Sequence, residues 1–389
     1  MNIRNQWLYK FTILCIGALV FYASLKTLDS VGFLWDLDVY DRAVNDYIHG
    51  GSPYRTDVFL QFIYHPYVLM MLDLIRAILV LKTMLLLIFV LATIYFGKYL
   101  LEYIYLREQI DKLISNLSIL WLLVPSIGFG GAGIVAFQTG NLTIFLHFLV
   151  LGTFFTVKKN PMNHRIFLFQ CSILFAAIIK PYFLAYLILL IYLTDYKRTT
   201  LLTLITISLT AIIWLSASFF VPDLYEQFVI SLSHQTLGKG ALGYSVFGLV
   251  RRFTGDSLGI FLHGTVMLFA LIGLLVFIKR KGYELRSEQM IPLTIVFIIF
   301  LNPRMKEYDF PIAIFFSYMF LFLEKQSYYL KAVCLSWSIA TIPLFAAMII
   351  KLDLIGPLKI FTAQDYFQIL GFIVILIFVI SSIKSSQRD

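Results

Sequence analysis

Long apolar runs separated by short polar loops occupy nearly the whole chain. A bilayer crossing needs about 20 apolar residues. Runs of this kind fall at 8–27, 83–105, 115–137, 141–157, 199–220, 258–278, 289–302, 310–324, 329–350 and 366–383. A further stretch, 166–195, overshoots one crossing and carries Lys180-Pro181 at its middle. Proline removes an amide donor and clashes with the preceding turn. Two short helices meeting at Lys180 are therefore predicted. Residues 62–78 fit a segment that lies at the interface or re-enters. The pattern predicts an all-α fold, a polytopic transmembrane helix bundle of about 12 spans. No repeat, low-complexity tract or composition break divides it, so residues 1–389 are expected to form a single domain. The first run, 11–25, lacks a convincing cleavage site and is read as a retained first helix.

A second pattern follows that first helix. From Leu37 the apolar residues Leu37, Tyr40, Val44, Tyr47 and Ile48 recur at helical spacing. This predicts a short amphipathic helix on the membrane surface. Gly50-Gly51 should end it. Asp36 falls where an N-cap is expected, and Asp38 and Arg42, four apart, are spaced to pair.

Composition supports the bilayer as solvent. The 389 residues are 60% hydrophobic and 14% charged, against about a quarter charged in soluble domains. The 37 Phe and 23 Tyr suit packing against lipid and rings at the interface. A net charge of +9 would admit nucleic acid as a partner, but the basic residues sit in short loops, as positive-inside topology requires. Nucleic-acid binding is excluded on that ground. The loops with Lys158-Lys159 and Arg165, Lys197-Arg198, Lys279-Arg280-Lys281, and Lys325 with Lys331 are expected inside. The acidic first loop, 138–141, the Lys180 turn, 222–257 and 302–309 are then expected outside. Cys15, Cys171 and Cys334 lie within apolar runs without metal-type spacing and read as packing residues.

Candidate chemistry gathers in the outer segments. Six aspartates lie between positions 29 and 57, in the run Trp35-Asp36-Leu37-Asp38 and beyond. An acid held at the membrane marks function by default. Asp36 reads either as a structural cap or as a general base, and a helix N-terminus favours the charged form both roles need. Asp36-x-Asp38 also resembles the acidic pair that holds a metal and phosphates in soluble transferases. Lys180 reads as a phosphate ligand or as a snorkelling helix-end lysine. Arg304 and Lys306 read as phosphate ligands or, with Glu307 and Asp309, as a structural ion network. Arg251-Arg252 points to an anionic ligand or a lipid headgroup. Gln138 and Asn141 are placed to bind a sugar or to cap the next helix. His65 and His234 read as acid–base groups or as structural donors. The polar stretch 233–240 suits a mobile loop but lacks P-loop order. Neither a nucleophile elbow nor His-Glu-x-x-His is present.

One family resemblance joins these motifs. The order is a first helix, Asp36-Leu37-x-Val39-Tyr40, Gly51-x-Pro53-Tyr54, then Phe62-x-Tyr64-x-Pro66. Gln138-Thr139-Gly140-Asn141, Lys180-Pro181 and Asn302-Pro303 follow at span boundaries. This order resembles the polyprenol-linked, C-type glycosyltransferase superfamily, closest to the family 87 mannosyltransferases. The chain departs from the family at His65, where proline is common, and at 304–309, which replaces an aromatic-His ending.

The resemblance implies an inverting glycosyltransferase in a bacterial cytoplasmic membrane, with its site on the extracytoplasmic side. The donor would be a polyprenyl-phosphate-linked hexose, mannose in the closest family, and the acceptor a glycolipid or glycan. Residues 28–61 would form the catalytic loop, with Asp36 at the position of the family's presumed base and Asp38 beside it as a second catalytic candidate. Tyr40, Tyr64, His65, Gln138, Asn141, Lys180, His234, Arg251, Arg304, Lys306 and Glu307 would contact substrate. No cofactor is required, although the acidic pair has room for a divalent metal. The competing readings are a flippase or transporter of lipid-linked sugars, and a polysaccharide polymerase or ligase. Paired broken helices in a repeat would favour the first, a large late outer loop the second.

Overall fold

The computed structural model describes residues 35–58, 61–78, 139–237 and 287–304, with Thr265, Lys306, Asp309, Ile312, Ala313 and Phe316. Every regular element among the described residues is helical, and none is a strand. The predicted spans at 8–27, 83–105, 115–137, 329–350 and 366–383 lie outside them. The chain divides into two compact units, one formed by 34–109 with 139–242, the other by 1–33, 110–138 and 243–389.

The first unit begins with α1 (Trp35–Ile48). It buries Leu37, Val39, Tyr40, Ala43 and Val44, a stripe at helical spacing, and leaves Asp38 exposed. Gly50 ends the run at φ +74°, a left-handed conformation that costs other residues about 1–2 kcal/mol. A Cβ there would meet nothing within 4 Å. Gly50→Ala is therefore expected to destabilise through backbone strain alone, by about 1 kcal/mol in a denaturant titration. Helix α2 (Pro66–Ile78) is 13 residues long and packs on α1.

Four antiparallel segments follow. Helix α3 (Leu142–Lys159) and α4 (Asn163–Ile179) pack together. At Lys180 the backbone leaves the helix for an extended conformation, and Pro181–Tyr192 then winds as a 3₁₀ helix. Helix α5 (Tyr196–Phe220) packs on both α4 and the 3₁₀ helix.

The 3₁₀ winding has a clear signature in burial. Side chains three apart eclipse in such a helix. Phe183, Tyr186 and Leu189 form one buried row that ends at half-exposed Tyr192; Leu187, Leu190 and Leu193 form the next, after half-exposed Leu184. The third row, Tyr182, Ala185, Ile188 and Ile191, is half-exposed throughout. The winding also sets reach. At ~2.0 Å per residue the 12-residue segment extends about 24 Å. That nearly matches the 17-residue α4, about 25 Å at 1.5 Å per residue. The two segments thus run out and back over nearly the same length.

Helix α5 is patterned inside out. Thr199, Thr206, Thr210 and Ala217 form its buried stripe. The Gln170 amide of α4 reaches across to the Thr206 hydroxyl (2.7 Å) and the Leu202 carbonyl (3.1 Å). Leu201, Leu204, Ile205, Ile207, Leu209, Ile212, Leu215, Phe219 and Phe220 are all exposed. Helices α3 and α5 are long and apolar enough to cross a membrane.

Helix α6 (Pro222–Leu237) packs back on α5 and α2. Its Phe228 joins Tyr54, His65 and Trp214 in an aromatic cluster. In the second unit, α7 (Ser287–Phe300) carries Pro292 in its interior and buries Met290, Ile291, Ile295 and Val296.

Candidate functional site

The four segments of the first unit have two unlike ends. At one, Lys158 Nζ donates to the Tyr192 carbonyl (3.4 Å) and Arg198 Nη1 to Asn163 Oδ1 (2.7 Å). Lys159 and Lys197 are exposed nearby in sequence. Asp195 caps α5 there, and the backbone N–H of Arg198 holds its carboxyl below the usual range. At the other end, the start of α3, the end of α4 and the start of the 3₁₀ helix meet the first turn of α1.

The junction is built on Asn141. Gly140, at φ +65°, turns the chain into the cap position. Asn141 then caps α3, its Oδ1 accepting from Thr143 N (2.9 Å) and Thr143 Oγ1 (2.6 Å). With the oxygen committed to the cap, the amide nitrogen must point away from the helix. It donates to Asp36 Oδ2 at 2.8 Å. Lys180 Nζ in turn bonds to Thr143 Oγ1. A continuous polar chain runs Asp36–Asn141–Thr143–Lys180 through residues separated by up to 144 positions.

Two tyrosines back this chain. Tyr64 Oη donates to Asn141 Oδ1 at 3.5 Å and lies 3.0 Å from Tyr40 Oη. Tyr40 Oη also accepts from the Leu142 backbone N–H (3.3 Å). The Lys180 ammonium stands 5.5 Å over the Tyr64 ring centroid, inside the range of a cation–π attraction. Burial, with Tyr64 and the Asp36 charge beside it, holds the Tyr40 phenol well above its ordinary pKa. Tyr40 therefore stays protonated and serves as a neutral hydrogen-bonding group. Tyr54 is raised likewise by burial and donates to the Tyr64 carbonyl (2.9 Å). Tyr40→Phe keeps the ring and leaves the Leu142 N–H and Tyr64 hydroxyl short of a partner. A buried group so deprived costs about 1–3 kcal/mol, so the unfolding midpoint in denaturant is expected to fall.

The geometry assigns the predicted residues differently from one another. Asp36, Tyr40, Tyr64, Asn141 and Lys180 come together. Asp36 is not the N-cap expected from sequence. Helix α1 already begins at Trp35, so Asp36 lies in the first turn, half-buried, and its carboxylate turns across to α3 instead. Asp38 is exposed on the other side of the same turn. His65 is buried against Trp214, Tyr67, Tyr225 and Phe228. Its Nε2 faces the Trp214 carbonyl at 3.3 Å, and Nδ1 accepts from Tyr67 N at 3.4 Å. The ring thus ties the segment before α2 to α5.

Burial also lowers the His65 pKa from 6.5. The unfolded chain then gains a proton below about pH 6.5 that the folded chain refuses. Its contribution is complete above that pH and declines as pH falls toward the depressed folded value. The unfolding midpoint is expected to drop between pH 7.5 and 5.5, and the drop to be smaller in His65→Phe.

His234 is exposed in the last turn of α6. Arg304 and Lys306 belong to the second unit, in a turn closed by buried Asp309. Asp309 Oδ2 accepts from Lys306 N (2.8 Å) and Asn302 Nδ2 (3.0 Å), and Asn302 Oδ1 accepts from Arg304 N (3.0 Å). The Asp309 carboxylate thus folds the backbone that carries both cations. Gln138, Arg251 and Glu307 lie outside the described residues. Among the described residues, no three His, Cys, Asp or Glu side chains gather as metal ligands.

Sequence reasoning did not single out Thr143. Only its spacing of two from Asn141, an N-cap pattern, could have flagged it. No protein-family model matches the chain, and neither a curated protein nor a solved structure matches it.

Proposed function

We propose that the chain is a membrane-embedded glycosyltransferase using a polyprenyl-phosphate-linked hexose as donor and a glycolipid or glycan as acceptor. The observation that carries this reading is the junction of a carboxylate, Asp36, with a cation, Lys180, through Asn141 and Thr143. Transfer from a sugar phosphate needs a base for the acceptor hydroxyl and positive charge for the departing phosphate. Asp36 takes the acceptor proton. The acceptor oxygen forms its bond to the anomeric carbon as the bond from that carbon to the phosphate oxygen breaks. The phosphate leaves with the electron pair, beside the Lys180 ammonium. Attack opposite to the leaving group inverts the anomeric centre.

Two further features support a bilayer setting. Helix α5 hides threonines and an alanine and exposes leucines, isoleucines and phenylalanines along its length. Small residues at helix contacts and bulky apolar ones outside suit lipid, whereas an exposed apolar face of this extent does not suit water. Lysines and arginines collect at the end opposite Asp36. Under positive-inside topology that end is cytoplasmic, and the Asp36 end is extracytoplasmic.

The deciding experiment offers purified protein in lipid nanodiscs a panel of radiolabelled polyprenyl-phosphate hexoses with a membrane lipid extract. A labelled acceptor product is expected. A flippase of lipid-linked sugars would move label between leaflets and yield no covalent product, which would overturn the transferase reading. The bilayer setting has its own test. Leu204→Arg places a charge on the exposed face of α5, and insertion is expected to weaken by about 2.5–3.5 kcal/mol in a membrane-integration assay. Unchanged integration would remove α5 as a span.

A further inference from the structure

The 3₁₀ helix starts at the residue after Lys180, and something must hold that start against α3 for the ammonium to meet Thr143. His147 lies one turn further along α3 than Thr143 and is fully buried. Both of its ring nitrogens meet tyrosine hydroxyls of the 3₁₀ helix. Nε2 lies 2.9 Å from Tyr182 Oη, and Nδ1 lies 2.7 Å from Tyr186 Oη. The rings pack as well: Phe183, between the two tyrosines in sequence, has its centroid 4.8 Å from the imidazole. A histidine in so apolar a helix is an expensive choice unless its polar atoms are used. Here both are used, on partners two and six residues beyond Lys180.

We infer that His147 is a positioning residue for Lys180, acting through Tyr182. Three contacts form a ladder along α3: Lys180 to Thr143, Tyr182 to His147, and Tyr186 to His147. Only the middle rung is close enough in sequence to fix where the Lys180 side chain begins. The Tyr186 rung lies a further 3₁₀ turn away and fastens the helix as a whole. This division of roles follows from the winding. With three residues per turn, Tyr182 and Tyr186 stand on adjacent rows and reach opposite edges of the imidazole. The catalytic consequence rests on the transferase reading, but the positioning itself does not.

The test therefore reads Lys180 directly. An amine-reactive acylating reagent is applied to the full chain in nanodiscs, and the modification rate at Lys180 is followed by peptide mass spectrometry, with Lys180→Arg as the blank. Loss of one hydrogen bond is worth about 1 kcal/mol, so Tyr182→Phe is expected to expose the amine and raise its rate about fivefold. Tyr186→Phe is expected to leave the rate unchanged while lowering the unfolding midpoint. His147→Gln, whose amide reaches the Nε2 position, should keep labelling slow; His147→Asn, whose amide falls at the Nδ1 position, should label as fast as Tyr182→Phe. Equal Lys180 rates in wild type and Tyr182→Phe would overturn the inference, as would equal rates in His147→Gln and His147→Asn. Because the readout needs no sugar donor, its failure is distinct from failure of the transferase reading.

Discussion

Asp36→Asn is expected to lower the rate of sugar transfer by about 10²–10⁴-fold, the usual contribution of a positioned general base. The substitution suits the site. Asn141 donates to one carboxylate oxygen of Asp36, and an amide oxygen at that position would accept the same bond. The fold should hold, with an unchanged unfolding midpoint, so the loss would report on the proton rather than on packing. Asp38→Asn is the natural comparison. Its carboxylate is exposed on the other side of the first turn of α1, and activity within about twofold of wild type is expected, as for ordinary surface changes. Initial rates with radiolabelled polyprenyl-phosphate hexose would measure both. Equal turnover by wild type and Asp36→Asn would remove Asp36 from the chemistry, and a reversed order would pass the role to Asp38.

The second large effect is expected at Lys180. Lys180→Met keeps the length of the side chain and removes its charge. A group that stabilises charge developing on the leaving phosphate acts mainly in the transition state, and its loss costs about 10²–10³ in kcat. Donor KM should move much less, because uniform binding and transition-state binding separate in this way. Lys180→Arg should recover only part of the rate. Its charge survives, but its planar fork cannot take the single-point bond to Thr143 while standing over the Tyr64 ring. A variant that raised KM and left kcat intact would recast Lys180 as a docking group for the lipid phosphate.

These two residues also show how the junction was legible in part. Lys180-Pro181 stood out because a cation and a helix breaker interrupt a long apolar run. The structure turns the chain at that point. Gly50-Gly51 announced the end of α1, and Gly50 takes the positive φ that the signal implies. The apolar runs at 141–157 and 199–220 emerged as helices α3 and α5 within a few residues. Each of these signals is local: a proline's missing donor, a glycine's missing Cβ, or a sufficient length of apolar side chains.

Other features had no local signal. The sequence of 181–192 is equally compatible with an α-helix, and only packing on α3, α4 and α5 selects rows three apart. Asp36 has the composition of an N-cap, yet its carboxylate serves a helix that begins more than 100 residues later. His65 read either as an acid–base group or as a structural donor, and nothing local announced that Trp214 and Phe228, contributed by α5 and α6, enclose it.

From its residues alone, this chain determines where apolar segments run, where they break and which termini are basic, because those properties depend on neighbours a few positions away. Tertiary structure decided which polar atoms meet. Asn141 points its amide at Asp36 because its oxygen is occupied by the α3 cap, and Lys180 finds Thr143 because α4, packed back on α3, ends beside the start of α3. Hydrogen-bond direction and helix packing are properties of the assembled backbone, and no window of sequence contains both partners.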